Sequence, residues 1–173
     1  MKKLLTDYKI DGIWHFTDQS NLQSIIDNKG LLSLVEAKSR GINIPSPGGN
    51  EWSHTADKLN GVDSYVHLAF LDDHPMLYHA RNDGRAPNPI WLKISIDILD
   101  TPGVYYTNDV SNKSGVCLLS AEEARNEIDH EVMFTYMNWK DSEVRQRRNL
   151  ALKSEILIPR FIPIDMILGK KNG

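Results

Sequence analysis

A chain of 173 residues with 40% hydrophobic content is long enough to bury its own core and is not a disordered composition. Twenty Lys plus Arg against 23 Asp plus Glu give a net charge of −3, which argues against a protein that coats nucleic acid through a broad basic surface. No apolar run approaches the ~20 residues needed to cross a bilayer, so no membrane association is expected.

The opening Met1-Lys2-Lys3-Leu4-Leu5 is interrupted by Asp7, Lys9 and Asp11 before an apolar signal segment is complete, so no leader is expected. The single cysteine, Cys117, allows no internal disulfide and no cysteine metal site, which fits a reducing compartment and a cytoplasmic location. No repeat, low-complexity tract or Pro/Ser-rich linker divides the chain, and one domain over residues 1–173 is expected.

In chain order, Ile13-Trp14-His15-Phe16-Thr17 reads as a first strand with Trp14 and Phe16 on one face. Asp18 or Ser20 then caps a helix over residues 21–28, with Leu22, Ile25 and Ile26 on its buried stripe and Gly30 as the stop. Residues 37–64, including the run Pro45-Ser46-Pro47-Gly48-Gly49-Asn50, show no sustained period and read as a long irregular segment, a class more often functional than connective.

Tyr65 to Phe70 reads as a strand, and His74 to Ala80 as a helix opened by Pro75. Further strands are expected over residues 89–96, 103–107, 155–158 and 166–168. Ser120 with Glu123 forms a capping box for a helix, and a second helical stretch follows near Val132. Strands and helices without regular βαβ alternation point to an α+β fold.

Two polar side chains stand inside apolar strand-like runs far apart in sequence: His15, and Glu155 in Lys153-Ser154-Glu155-Ile156-Leu157-Ile158. Positive charge is concentrated beside the second, with Arg145, Arg147, Arg148, Lys153 and Arg160 against Glu155 alone. His67, His74 and His79 are spaced by seven and five, which does not place them on one helical face. No HExxH or cysteine pattern accompanies them, so a metal site is rejected. The Pro47-Gly48-Gly49 run lacks the Lys-Ser/Thr of a phosphate loop.

These residues carry a family resemblance. His15-Phe16-Thr17 with Asn21-Leu22, Ile25-Ile26 and Gly30-Leu31-Leu32 resembles the first motif of the DarT family of bacterial toxins, which ADP-ribosylate bases in single-stranded DNA. Tyr65 to Phe70 with Pro75-Met76-Leu77-Tyr78 resembles its central strand and helix, and Lys153 to Ile158 the strand bearing its catalytic Glu. The segment over residues 145–153, where the family recognises its target, looks longer than the family pattern.

The resemblance implies an ADP-ribosyltransferase-like fold, with central split mixed or antiparallel sheets and flanking helices. It implies NAD as co-substrate without a Rossmann fold, and transfer of the ribose C1 carbon from nicotinamide to a base nitrogen. Nicotinamide leaves neutral from a cationic state, so such an enzyme mainly orients NAD and stabilises an oxocarbenium-like ribose. A carboxylate below the sugar meets that need, by analogy with glycoside hydrolysis. Glu155 takes this role, and the resemblance gives it a second one, accepting the proton of the attacking nitrogen.

By the same resemblance His15, Thr17 and Asn21 contact NAD near the nicotinamide ribose. Met76 and Tyr78 form an apolar wall, with Tyr78 stacking on nicotinamide, and Arg40 serves the NAD phosphates or the reaction itself. Arg145, Arg147 and Arg148 are candidates for nucleic-acid contact, since Arg both pairs with phosphate and stacks on bases. Structural alternatives stand beside each: a half-buried core His, a core Met and Tyr, solvated arginines, and an outward-facing Glu on an edge strand.

Three functions remain open. The first is a DarT-like transferase acting on single-stranded DNA, with thymine first, guanine next and RNA as a further acceptor. As a toxin it would be neutralised by a macrodomain-type antitoxin. The second is the same fold acting on a protein or small molecule, and the third a non-catalytic binding module.

Overall fold

The computed structural model describes residues 1–49 and 51–173. Asn50, the last residue of the Pro/Gly run, lies outside the described residues. Helix α1 (Lys2–Asp7) leads into strand β1 (Gly12–Asp18). A 3₁₀ turn, Gln19–Asn21, then enters α2 (Leu22–Asp27), β2 (Gly30–Leu32), α3 (Leu34–Ser39) and α4 (Glu51–Leu59). Strand β3 (Tyr65–Ala69), α5 (Pro75–Asn82), β4 (Pro89–Ser95) and β5 (Tyr105–Thr107) follow. Helices α6 (Ala121–Glu127), α7 (His130–Phe134) and α8 (Ser142–Ala151) precede β6 (Glu155–Pro159), β7 (Phe161–Pro163) and β8 (Ile167–Asn172).

The strands form a six-stranded sheet in the order β5-β6-β3-β1-β4-β8 and a two-stranded sheet, β2-β7, with every pairing antiparallel. Helices flank these sheets without a βαβ alternation, so the class is α+β, as expected. One face of the large sheet carries the main core: Val66 and Leu68 of β3, Ile90, Leu92 and Ile94 of β4, and Ile156 and Ile158 of β6. Each such aliphatic side chain contributes about 2 kcal/mol by leaving water. The opposite face holds a smaller cluster of Ala69, Leu77 and Trp91 with Trp14 and Phe16 packed against it.

The sheet is not continuous at its centre. Strands β1 and β4 pair along seven residues, whereas β1 and β3 pair only at Trp14 with Ala69 and separate beyond that point. In the gap, His15 Nδ1 donates to the carbonyl of His67 at 2.9 Å, so a side chain satisfies a backbone acceptor that strand pairing leaves open.

Local signals act where expected. Asp18 accepts from Ser20 N–H and starts the turn into α2, Pro75 occupies the first turn of α5, and Ser120 with Glu123 completes both bonds of a capping box on α6. Gly30 follows α2 with φ +150°, and a Cβ there would lie 2.1 Å from the carbonyl oxygen of Ile162, so only glycine lets β7 approach.

One expectation is corrected. The stretch from 37 to 64 is not structureless, because α3 ends and α4 lies within it. The buried positions of α4 include Ser53 and Asp57, one helical turn apart, so the side turned inward is polar and leaves no apolar period to read. The approach to Glu155 is also helical. Helix α8 buries only Ala151 and is held by Asp141 at its N-cap and by Arg147, which pairs with Asp129 at 2.7 Å and Glu131 at 2.9 Å.

His130 is buried against Phe70 and Phe134, and burial pushes its imidazole down to about 4 from 6.5. The unfolded chain therefore binds this proton at a pH where the folded chain refuses it, and stability falls as pH drops from 6.5 toward 4. The loss for this one group is about 3 kcal/mol. Urea unfolding at pH 7 and pH 4 should show the acid loss shrinking by roughly that amount in His130→Leu.

Candidate active site

The place where β1 and β3 part is the mouth of a cleft of about 200 Å³. Its walls come from β1, from α2 and β2, from the 42–49 segment, from α4 and from the Val110–Asn112 loop. Glu155 stands at the first residue of β6, opposite Ala69 on β3 and Thr107 on β5. Ala69 is small enough to leave room beside the carboxylate. His67, two residues from Ala69 and therefore on the same face, reaches it.

Glu155 is 6% exposed and one of its two oxygens is hydrogen-bonded. Oε2 accepts from His67 Nδ1 and from the backbone N–H of Ser111, each at 3.2 Å. Oε1 lies 3.7 Å from His74 Nε2. The tautomers follow from the partners. His67 Nε2 faces the carbonyl of Val62 at 3.2 Å, and a carbonyl only accepts, so with Nδ1 donating to Glu155 both nitrogens carry protons. His74 Nδ1 accepts from Met76 N–H, which places its proton on Nε2, toward Glu155.

These contacts set the charge of the site. Burial alone would raise Glu155, but the His67 hydrogen bond and charge, with help from His74 and Ser111, hold it down to about 2. Burial alone would lower His67, yet Glu155 and then Asp57 raise it to about 9. The floor of the cleft is therefore an ion pair. The contribution of Glu155 to stability is complete above 4.5 and lost as pH falls through about 2, and that of His67 is complete below 6.5 and lost as pH rises through about 9.

His15 has the opposite character. Burial pushes it down to about 4, so it is neutral, and with Nδ1–H given to His67 its Nε2 carries a lone pair beside the cleft. Thr17 and Asn21 stand next to it. Asn21 donates to Thr17 Oγ1 at 2.9 Å and to the Ser46 carbonyl at 2.7 Å, and accepts from Ser46 N–H at 2.9 Å. Asn21 thus clamps the loop that forms one wall. Arg85 supports the same loop through the Gly48 carbonyl.

The structure brings His15, Thr17, Asn21, Met76 and Glu155 around one cleft. Arg40 is not part of its lining: the guanidinium pairs with Glu36 at 2.8 Å and stacks on Phe161 at 5.6 Å, and Glu36 is also held by Arg160 at 3.0 Å. Tyr78 lies outside the lining too, 66% exposed on α5. On α8, Arg145 donates to the carbonyls of Trp139 and Lys140, Arg147 is engaged by Asp129 and Glu131, and Arg148 stacks on Trp139 at 5.2 Å.

The contacts of His67, Ser111 and His74 with Glu155, and the place of Asp57 in the same cleft, were not read from the sequence. The one available signal was the strand alternation that puts His67 on the face of Tyr65. Among the described residues, no group of three or more His, Cys, Asp or Glu is placed to hold a metal ion.

The family model described as ssDNA thymidine ADP-ribosyltransferase, DarT, matches residues 14–169. The chain belongs to the DarT family. It is accordingly an NAD-dependent ADP-ribosyltransferase. Solved DarT structures share its fold. Thermus sp. 2.9 DarT in complex with ADP-ribosylated ssDNA is 18% identical with a TM-score of 0.64, over 91% of this chain and 78% of that one. The same Thermus protein with NAD+ is 19% identical with a TM-score of 0.58, over 91% and 79%. Thermosipho africanus DarTG in complex with ADP-ribose is 17% identical with a TM-score of 0.66, over 93% of this chain and 43% of that one. No curated protein matches the chain significantly.

Removing one member of the buried pair isolates a charge. His67→Phe should lower the unfolding free energy at pH 7 by about 3 kcal/mol in urea titrations, and His67→Phe with Glu155→Gln should recover much of that loss because no charge remains buried.

Proposed function

We propose that this enzyme cleaves NAD in the cleft at the sheet split and transfers ADP-ribose to a thymine of single-stranded DNA. The observation that carries the reading is the buried, ionised carboxylate of Glu155 at the cleft floor, held by His67 and the Ser111 N–H. A fixed negative charge under the ribose stabilises the cation that develops as nicotinamide departs, and it needs no reorganisation to do so. The Nε2 lone pair of His15 accepts from the nicotinamide amide or a ribose hydroxyl. Thr17 lies beside it, Asn21 keeps the covering loop closed over NAD, and Met76 supplies apolar wall.

Thymine as acceptor is supported by the family description, and single-stranded DNA also by the Thermus relative bound to ADP-ribosylated ssDNA. Helix α8 runs directly into the strand of Glu155, which favours Arg145 and Arg148, with Trp139 beneath the latter, as contacts for an unpaired strand. Such damage to DNA suits a toxin, and the Thermosipho africanus relative is a DarTG protein. A macrodomain-type antitoxin that removes the modification is the expected partner.

Labelled NAD incubated with short oligonucleotides, DNA and RNA, each with one variable base, tests this. Label should accumulate on thymine-containing single-stranded DNA and fall about 1,000-fold in Glu155→Gln with NAD binding retained. No labelled oligonucleotide, or labelling that survives the substitution, would overturn it.

A further inference from the structure

Glu155 is held by one oxygen only. Oε2 accepts from His67 and from the Ser111 N–H, whereas Oε1 carries no hydrogen bond among the described residues. Pinning one oxygen leaves the other free to swing about it. Oε1 is therefore the oxygen left to face the ribose and the acceptor, and its aim needs a further contact.

A buried donor stands beside it. The His74 side chain is 3% exposed, and its Nε2 lies 3.7 Å from Oε1 without a hydrogen-bond partner among the described residues. The other ring nitrogen is already used: Nδ1 accepts from Met76 N–H at 3.3 Å and caps α5, which leaves the proton on Nε2. Burial lowers the imidazole further than Glu155, the Lys153 carbonyl and Asp73 raise it, and His67 adds to the lowering, so the ring is neutral. A neutral donor suits a place beside Glu155, because a second cation there would weaken the charge offered to the ribose.

Buried polar atoms are nearly always paired, and an N–H left without a partner costs stability, so an orphan next to the catalytic carboxylate calls for a use. A shift of about 0.5 Å brings the two atoms within hydrogen-bond range. His74 does not line the cleft, so it can act on Glu155 and not on substrate, while Met76, whose N–H it holds, is part of the cleft wall.

We infer that His74 is a positioning residue for transfer: its Nε2–H closes on Oε1 of Glu155 when NAD fills the cleft, and fixes the direction in which that oxygen meets the ribose and the acceptor. The inference rests on the role given to Glu155 in the base-transfer reading above. The C1–nitrogen bond to nicotinamide breaks, and its electron pair leaves with neutral nicotinamide. The acceptor nitrogen bonds to C1, its proton passes to Oε1, and the carboxylic acid later returns it to solvent. His74 gives up no proton and takes none. One imidazole thereby ties the α5 wall to the carboxylate on β6.

Three substitutions separate the two bonds of this ring, with transfer followed from labelled NAD to a thymine-containing single-stranded oligonucleotide. His74→Asn keeps a cap for the Met76 N–H but is too short to reach Glu155. His74→Gln extends an amide N–H toward the place of Nε2, and His74→Phe fills the space with neither group. Transfer kcat should fall on the order of 30-fold in the Asn and Phe variants, with KM for NAD within about 3-fold, and should return to within about 3-fold of wild type in His74→Gln. Adding His74→Phe to Glu155→Gln should lower kcat no further, because His74 acts only through that carboxylate.

Wild-type kcat in His74→Asn, a Gln variant as slow as the Phe variant, or a further loss in the double variant would overturn the assignment alone and leave His74 as a helix cap. An oligonucleotide that the wild type does not label would overturn the base-transfer reading, and this inference with it.

Discussion

The arrangement depends on one buried ion pair, His67 with Glu155. Two charges out of water are tolerated only when each satisfies the other and the remaining donors and acceptors are used. Here the Val62 carbonyl takes the second imidazolium proton and the Ser111 N–H takes a carboxylate lone pair. The pair stands where the central sheet stops being continuous. His67 serves both sides of the split, offering its ring to Glu155 and its carbonyl to His15.

The consequence is a cleft with a graded character. A permanent anion lies at the floor, a neutral imidazole with an available lone pair on one strand, and a carboxyl of intermediate basicity on the opposing helix. Environment alone separates these groups: a paired Glu is held down, and a buried Asp with a free oxygen is pushed up.

What could be read from the sequence was what is encoded locally. The Ser120–Glu123 box, Pro75 at a helix start and the apolar strands on either side of the site are short-range signals, and each appears in the fold, whereas α2 stops at Asn28 with Lys29 in the left-handed turn and Gly30 already opens β2. His15, Thr17, Asn21, Met76 and Glu155 could be named from motif order and do surround one cleft. Their roles remain proposals. Helix α4 was invisible because its inward positions include Ser53 and Asp57, and α8 because Ala151 is its one buried residue. The Glu155–His67 contact spans 88 residues and depends on strand register, which no local pattern encodes. Arg40, named from the resemblance, pairs with Glu36 one helical turn back, a contact that its sequence surroundings did not reveal.

The most direct measurement is a crystal structure of the protein with a carbocyclic NAD analogue that cannot release nicotinamide, at neutral pH. The account predicts the nicotinamide-side sugar within hydrogen-bond distance of Glu155, with Glu155 still bound to His67, and the amide or a sugar hydroxyl donating to His15 Nε2. An analogue bound away from the split between β1 and β3, or a Glu155 that has left His67 and turned out of the cleft, would contradict it.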